Sequence, residues 1–291
     1  MTIPSMIDRT DRDTFLAWCR RVDEGPFSTL AVGERITYHN LEMMTSLAAA
    51  ASVTERVRLM STVVILPMHP ANLIAKQMAT IDVISGGRLD VGVGVGGRDA
   101  DFRAVEGRFD HRHQRMDDQV AQMRRVWAGE PAAADLGPIG PRPVQAGGPP
   151  VYAGVLGPKA IARAAQWAVG VTGFVTDPDQ AQAELTFINV RDAWDAAGRN
   201  EPPVLTTSFW YGLGADGDER ARAYARRYLG IFGDDFAVAM ADSMTMTTEA
   251  ALLAGLGGLA DAGCDEIILV PTTDDLDELD RTIEVINRFT T

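Results

Sequence analysis

Lysine is almost missing from this chain: Lys76 and Lys159 stand against 25 arginines, out of 27 basic residues. Cysteine is as scarce. Cys19 and Cys264 lie far apart without metal-ligand spacing, which argues against a disulfide framework and fits two reduced thiols in a cytosolic protein. No stretch approaches the ~18 uncharged apolar residues of a membrane span. The start, Met1-Thr2-Ile3-Pro4-Ser5-Met6-Ile7, has no basic region and no long apolar run, so no signal peptide is expected. Positive charge is also in deficit. A formal net charge of -13 argues against nucleic acid or an anionic membrane as the main partner and leaves a small molecule as the expected one. Of the four histidines, His111 and His113 invite a metal reading. Their i,i+2 spacing does not share a helix face, and no carboxylate completes a ligand set, so no metal is expected. A P-loop, a serine nucleophile elbow and a zinc signature are absent as well.

What is abundant is glycine in one place. Arg88-Leu89-Asp90-Val91-Gly92-Val93-Gly94-Val95-Gly96-Gly97 reads as a strand with two unlike faces. Side chains alternate with period two, so Leu89, Val91, Val93 and Val95 share an apolar face and Gly92, Gly94 and Gly96 a bare one. Interior glycines weaken a strand and mark a close approach of backbone or ligand. Two readings stay open: room for a flat ring or phosphate, or relief of crowding inside a tight barrel.

Along the chain, strand-like and helix-like segments alternate. A short first strand lies near Ile3, then Thr29–Val32, Val57–Val64, the glycine strand, Val151–Gly154, Val169–Phe174, Val204–Tyr211 and Glu266–Val270. Helices are expected over Asp13–Val22, Leu41–Val53, the segment after Pro70 closed by Gly86-Gly87, His113–Ala128, Gly157 to about Ala168, a helix capped by Asp177 with Pro178 first, two segments before the last strand, and Leu276–Phe289. Eight strands alternating with helices predict one (β/α)₈ TIM barrel over residues 1–291, with a Pro- and Gly-rich loop insertion near 130–150. A doubly wound sheet is the rival, but the acidic strand end that should follow the glycine run of a dinucleotide fold by about 20 residues is missing, since that region reads as loop and helix. Of closed assemblies the homodimer is the commonest, and the sequence leaves it open.

A barrel places function at the C-terminal ends of its strands. Two such ends read as anion sites: Gly96-Gly97-Arg98, with a guanidinium suited to a phosphate fork, and Gly157-Pro158-Lys159 at a helix start. After the second strand come Glu34, a candidate acid or base, and His39, a candidate proton donor that titrates near neutrality. His69, between Met68 and Pro70, reads as a turn residue.

The residues from Glu55-Arg56-Val57-Arg58-Leu59 through His69-Pro70, Ala75-Lys76-Gln77 and Ile81-Asp82-Val83-Ile84-Ser85-Gly86-Gly87-Arg88-Leu89 to Val91-Gly92-Val93-Gly94 closely resemble the luciferase-like monooxygenase superfamily. The likeness extends to Arg115–Gly129 and Gly157-Pro158-Lys159. It implies a (β/α)₈ barrel with one redox cofactor, FMN or the deazaflavin F420. The arginine-rich composition and the Gly-Pro-Lys segment look more like the F420 branch. Members often carry a non-prolyl cis peptide under the cofactor ring, which would fall here within Thr62, Val63 and Val64. By the same resemblance Gly96, Gly97 and Arg98 would lie near the cofactor tail, and Gly157, Pro158 and Lys159 near its phosphate; Gly94 and Gly154 are further candidate cofactor contacts. Tyr38, Phe109, Trp210 and Tyr211 would wall the pocket. Three positions depart from the pattern: Arg35 replaces a histidine common after the acidic residue, Gly97 a glutamate of the sugar-phosphate branch, and Ala168-Val169-Gly170 an Ala-Asp-Gly. The resemblance thus implies an F420-dependent oxidoreductase. An FMN-dependent monooxygenase with a separate reductase, and a barrel that binds cofactor without turnover, remain the alternatives.

Overall fold

The structure, a computed structural model, describes residues 1–5, 7, 10–155 and 157–289. Seven parallel strands run round a barrel in sequence order: β1 (Thr29–Val32), β2 (Arg58–Ile65), β3 (Leu89–Gly94), β4 (Val151–Ala153), β5 (Gly170–Thr172), β6 (Val204–Tyr211) and β7 (Glu266–Pro271). The expected first strand is reduced to a bridge between Thr2 and Ala31. That bridge still closes the ring. Thr2 N–H donates to the Leu269 carbonyl of β7 at 2.9 Å, while Ala31 N–H donates to the Met1 carbonyl and Ile3 N–H to the Ala31 carbonyl, both at 2.8 Å.

The outer helices are α1 (Arg12–Glu24), α2 (Met43–Val53), α3 (Ala71–Ile84), α4 (Asp99–Ala104), α5 (Arg112–Trp127), α6 (Pro158–Ala164), α7 (Gln180–Ala196), α8 (Gly217–Leu229), α9 (Asp234–Asp242), α10 (Glu249–Asp261) and α11 (Leu276–Phe289). Side-chain caps start several of them: Asp11 accepts from Thr14 N–H, and Glu42 from Met44 and Thr45 N–H. Two expectations are corrected. The cap of α7 is Asp179, which accepts from Gln182 N–H at 2.8 Å, because proline disfavours helical geometry in the residue before it. Asp177 instead accepts from the Thr245 hydroxyl at 2.5 Å. Three helices, not two, separate β6 from β7; α8 and α9 form an insertion ahead of the packing helix α10.

Period-two alternation stacks the barrel interior in layers. At the bottom the Arg58 guanidinium grips Asp90 at 2.5 and 2.6 Å, and the Ser28 and Thr29 hydroxyls donate to Glu266. Ala31, Met60, Ile268 and Tyr152 fill the middle. Above them β2 shifts register between Ser61 and Val64, at the non-prolyl cis bond joining Thr62 and Val63.

The residues of the familiar motif hold the barrel's lower half. Arg88 donates to the Val57, Thr54 and Ser85 carbonyls at 2.6–2.8 Å. Asp23 accepts from three successive N–H groups, those of Glu55, Arg56 and Val57. The buried Asp82 carboxylate accepts from the N–H groups of Val144 and Gln145 and from the Gln145 amide. It thereby pins the irregular 130–150 segment against α3. Burial pushes the Cys19 thiol to about 12 and that of Cys264 to about 11, and both are free.

Candidate active site

The bare face of β3 points into the barrel, and the protein itself fills it. A Cβ at Gly92 would stand 2.2 Å from the Ser61 carbonyl, one at Gly94 2.5 Å from Val63 Cγ2, and one at Gly96 2.5 Å from Ile65 Cγ2. The glycines admit the displaced β2. In return, Thr62, Val63 and Ile65 become one wall of a pocket at the barrel mouth, completed by Gly33, Glu34, Phe174, Ser208, Trp210, Tyr224, Tyr228 and Val270. Val64 faces away and is buried in the outer core.

Glu34 reaches the rim from the end of β1. Its Oε2 accepts from Ile65 N–H at 2.6 Å, and its Oε1 lies 2.8 Å from His69 Nε2. The carboxylate is only 2 % exposed. His69 is anchored in turn, its carbonyl accepting from the Gln119 amide at 2.7 Å. Arg35, at the position of the expected histidine, turns from Glu34 to Asp101 at 3.2 Å. Asp101 also accepts from Thr37 N–H and the Thr37 hydroxyl. Burial opposes the Asp101 charge; the Thr37 donors and Arg35 outweigh it and hold the carboxyl below its ordinary range.

The two expected anion sites fall in separate cavities. Gly96, Gly97 and Arg98 join Glu34, Arg35, Ile65, Met68 and Asp101 in a small chamber of about 120 Å³. Gly154, Gly157, Pro158 and Lys159 line a lateral cleft of about 870 Å³ with Val95, His113, Met116, Arg163 and Trp167. The cleft adjoins the mouth pocket, since a Cβ at Gly154 would lie 3.0 Å from Val63 Cγ1. Lys159 is exposed and, among the described residues, has no ion-pair partner, whereas Arg163 pairs with Asp117. Burial, with Arg112 next, draws the His113 imidazole below its ordinary range.

The α8–α9 insertion carries a second core that docks on the mouth through Trp210, Tyr224, Ala225, Leu229 and Ala237. Trp210 meets Phe174 at 4.4 Å, Tyr228 at 5.0 Å and Tyr224 at 5.7 Å between ring centroids. Of the expected pocket walls only Trp210 lines the mouth. Tyr211, its neighbour in β6, points the other way, fully buried against Thr282. Phe109 packs edge-on against Phe102 under the Arg112 guanidinium, and Tyr38 packs beside the insertion. His39 is exposed, tilted against Tyr38, and lines none of these cavities. The histidine that meets Glu34 is His69, which the sequence reads as a turn residue; it too lines none of these cavities and packs behind the carboxylate. The signal available was its place at the C-terminal end of a strand, on the same rim as Glu34. Tyr224 and Tyr228 had no signal, because nothing local says that their helix folds over the mouth. Among the described residues no cluster of histidine, cysteine or carboxylate side chains is arranged to hold a metal, and no helix is long and apolar enough to cross a membrane.

Comparisons with known proteins agree with this architecture. An uncharacterised protein of Mycobacterium tuberculosis, Rv0953c, is 34% identical over 181 residues, which span 57% of this chain and 60% of that protein's length. The crystal structure of monooxygenase RslO1 from Streptomyces bottropensis superposes with a TM-score of 0.76 at 27% identity, covering 95% of this chain and 92% of that one. An F420-dependent secondary alcohol dehydrogenase shares the fold at 16% identity, with a TM-score of 0.77 over 94% of this chain and 93% of its own. The family model of luciferase-like monooxygenases matches residues 4–265, most of the barrel and its insertion, and the chain belongs to that family.

Proposed function

We propose that this protein is an F420-dependent oxidoreductase that moves hydride between the deazaflavin and a small organic substrate. One observation carries the reading: the mouth pocket walled by Thr62 and Val63 lies beside a lateral cleft lined in part by Lys159, which has no ion-pair partner among the described residues. A tricyclic ring bearing a ribityl phosphate needs that combination of a flat apolar seat, a lateral channel and a cation lining it. The cleft volume suits such a ligand. Thr62 and Val63 would back the ring, with Val64 anchoring them in the core. Gly94 and Gly96 would serve by admitting Val63 and Ile65, and Gly97 borders the adjoining chamber. Gly154, Gly157 and Pro158 would line the tail, and the Lys159 ammonium would take the phosphate.

Bound F420 supplies the hydride chemistry. The chain's part is to seat the ring, keep water from the mouth with the α8–α9 aromatics, and handle the substrate's proton. The Glu34–His69 pair is suited to that last task. Glu34 Oε1 fixes His69 through Nε2, and Nδ1 has no protein partner among the described residues. Glu34, which borders both the mouth pocket and the chamber, would exchange the proton with a substrate oxygen, and His69, which lines neither, would hold the carboxylate in place from behind. The role expected of His39 would fall to Glu34, with His69 as its positioning residue.

An FMN-dependent monooxygenase is the second reading, favoured by the 27% identity to a monooxygenase over nearly the whole chain. Titrating purified protein with F420 and, separately, with FMN by calorimetry tests both. Micromolar F420 binding without FMN binding supports the first. FMN binding alone, with oxygen uptake from reduced flavin, replaces it with the second. Binding of neither overturns the cofactor assignment.

A further inference from the structure

We propose that the chamber beside Glu34 selects substrates bearing a carboxylate, and that Arg98 is the residue that receives it. The substrate class rests on the oxidoreductase reading; the anion site does not.

Arg98 stands at the end of the β3 glycine run, and its guanidinium borders the chamber with Glu34, Arg35, Asp101 and Tyr228. Its chemistry there is unfinished. A guanidinium carries five N–H donors. One of them donates to the Tyr228 carbonyl, and the cation sits 4.7 Å from the centre of the Tyr228 ring. No carboxylate pairs with Arg98 among the described residues. The two acids nearby are engaged elsewhere: Asp101 with Arg35 and Thr37, Glu34 with His69 and Ile65 N–H. Burial, then the like charge of Arg35, draws the Arg98 guanidinium below the usual arginine range. A half-buried cation that borders a cavity with donors to spare is completed by an anion.

The chamber also says which anion. A volume of about 120 Å³ and a single unpaired guanidinium suit a monoanion with fork geometry better than a phosphate dianion. Ile65, Met68, Phe102, Ile231 and Phe232 make the remaining wall apolar, so the carboxylate should sit on an apolar body. Glu34 borders both this chamber and the mouth pocket, which puts the body of such a substrate beside the proton-handling pair. Arg98 also ties the β3–α4 loop to α8, so binding there is coupled to the position of the insertion.

The rival is that Arg98 only fastens α8 through Tyr228. Calorimetry on the full chain separates the two, with acetate, benzoate, phenylacetate and hexanoate as probes and their neutral amides as controls. At least one carboxylate should bind with its amide much weaker. Arg98→Gln should weaken that carboxylate roughly 10- to 100-fold, the range of a charge-assisted hydrogen-bonded pair. Arg98→Lys, which keeps the charge without the fork, should fall between. Lys159→Ala should bind the probe like wild type. The proposal is overturned if no carboxylate exceeds its amide, or if Arg98→Gln lowers the melting temperature but leaves probe affinity intact. Loss of binding in Lys159→Ala would equally overturn it by moving the site to the cleft. Carboxylate binding by a protein that takes up neither F420 nor FMN would refute the oxidoreductase reading and leave the anion site standing.

Discussion

Gly94→Ala perturbs the contact that shapes the barrel mouth. The added Cβ would lie 2.5 Å from Val63 Cγ2, about 1 Å inside ordinary carbon contact, and the next neighbours are at 3.5 and 4.0 Å. Nearly all the strain is therefore with one methyl group. Overpacking of this kind costs about 2 kcal/mol, which for a chain of this size lowers the melting temperature by roughly 3 °C. Val63→Ala alone removes two methyl groups from a half-exposed position and should cost about 1 kcal/mol. Because it removes the offending methyl, the double variant should be no less stable than Val63→Ala. The coupling energy would be close to 2 kcal/mol in favour of the pair. Cofactor titration should follow the same cycle, since Val63 is displaced toward the pocket it lines: weaker binding in Gly94→Ala, recovery in the double variant. Gly92→Ala is the control. Its Cβ meets the Ser61 backbone carbonyl at 2.2 Å, which no side-chain truncation relieves. Urea or thermal unfolding of the four proteins decides the matter. Additive losses in the double variant would refute the contact, and with it the account of why β3 carries glycine.

Glu34→Gln keeps the shape but not the charge opposite His69, and turnover should fall roughly 100-fold with F420 affinity little changed. His69→Ala should cost about as much, and the double variant little more, because the pair acts as a unit; additive losses in single-turnover kinetics would separate them. Lys159→Ala should weaken cofactor binding roughly 5- to 10-fold and leave the cofactor-free melting temperature unchanged, as befits an exposed lysine without an ion-pair partner among the described residues; retained affinity would remove the phosphate assignment. At Asp23 burial opposes the charge, and the Val57, Glu55 and Arg56 N–H groups outweigh it, so the folded carboxyl titrates below its ordinary range. The stability it adds is full above the unfolded value of ~3.9 and is lost as pH falls through the lower folded value. Asp23→Asn should cost about 1–2 kcal/mol near neutrality and flatten the acid limb of the stability–pH profile, measured by urea unfolding between pH 2 and 6.

Period-two alternation made the inward face of β3 legible, and strand–helix repetition made the barrel so. What fills that face was not legible. Val63 reaches Gly94 only because β2 shifts register against β3, and register belongs to two strands at once. The motif that carries the family likeness is strongest where it holds the lower barrel together: Arg88 on the Ala51, Thr54, Val57 and Ser85 carbonyls, Asp82 on the 144–145 segment, and Glu55-Arg56-Val57 on Asp23. Those residues report fold, which is why they were readable, and they sit away from the chemistry. The candidate site depends instead on which rim residues meet. His39 and His69 both follow strands, yet only His69 comes round to Glu34. Arg98 and Lys159 are both cations beside glycine, and their sequence contexts suggested one anionic ligand. They part because successive residues leaving β3 take opposite sides: Val95 borders the cleft, while Gly96 borders the Glu34 chamber and carries Arg98 with it. The insertion then closes over one cavity and not the other, placing Tyr228, Ile231 and Phe232 on the chamber and none of its residues on the cleft. A barrel that separates its two cation-bearing cavities in this way offers one face to the proposed cofactor and the other to the proposed substrate.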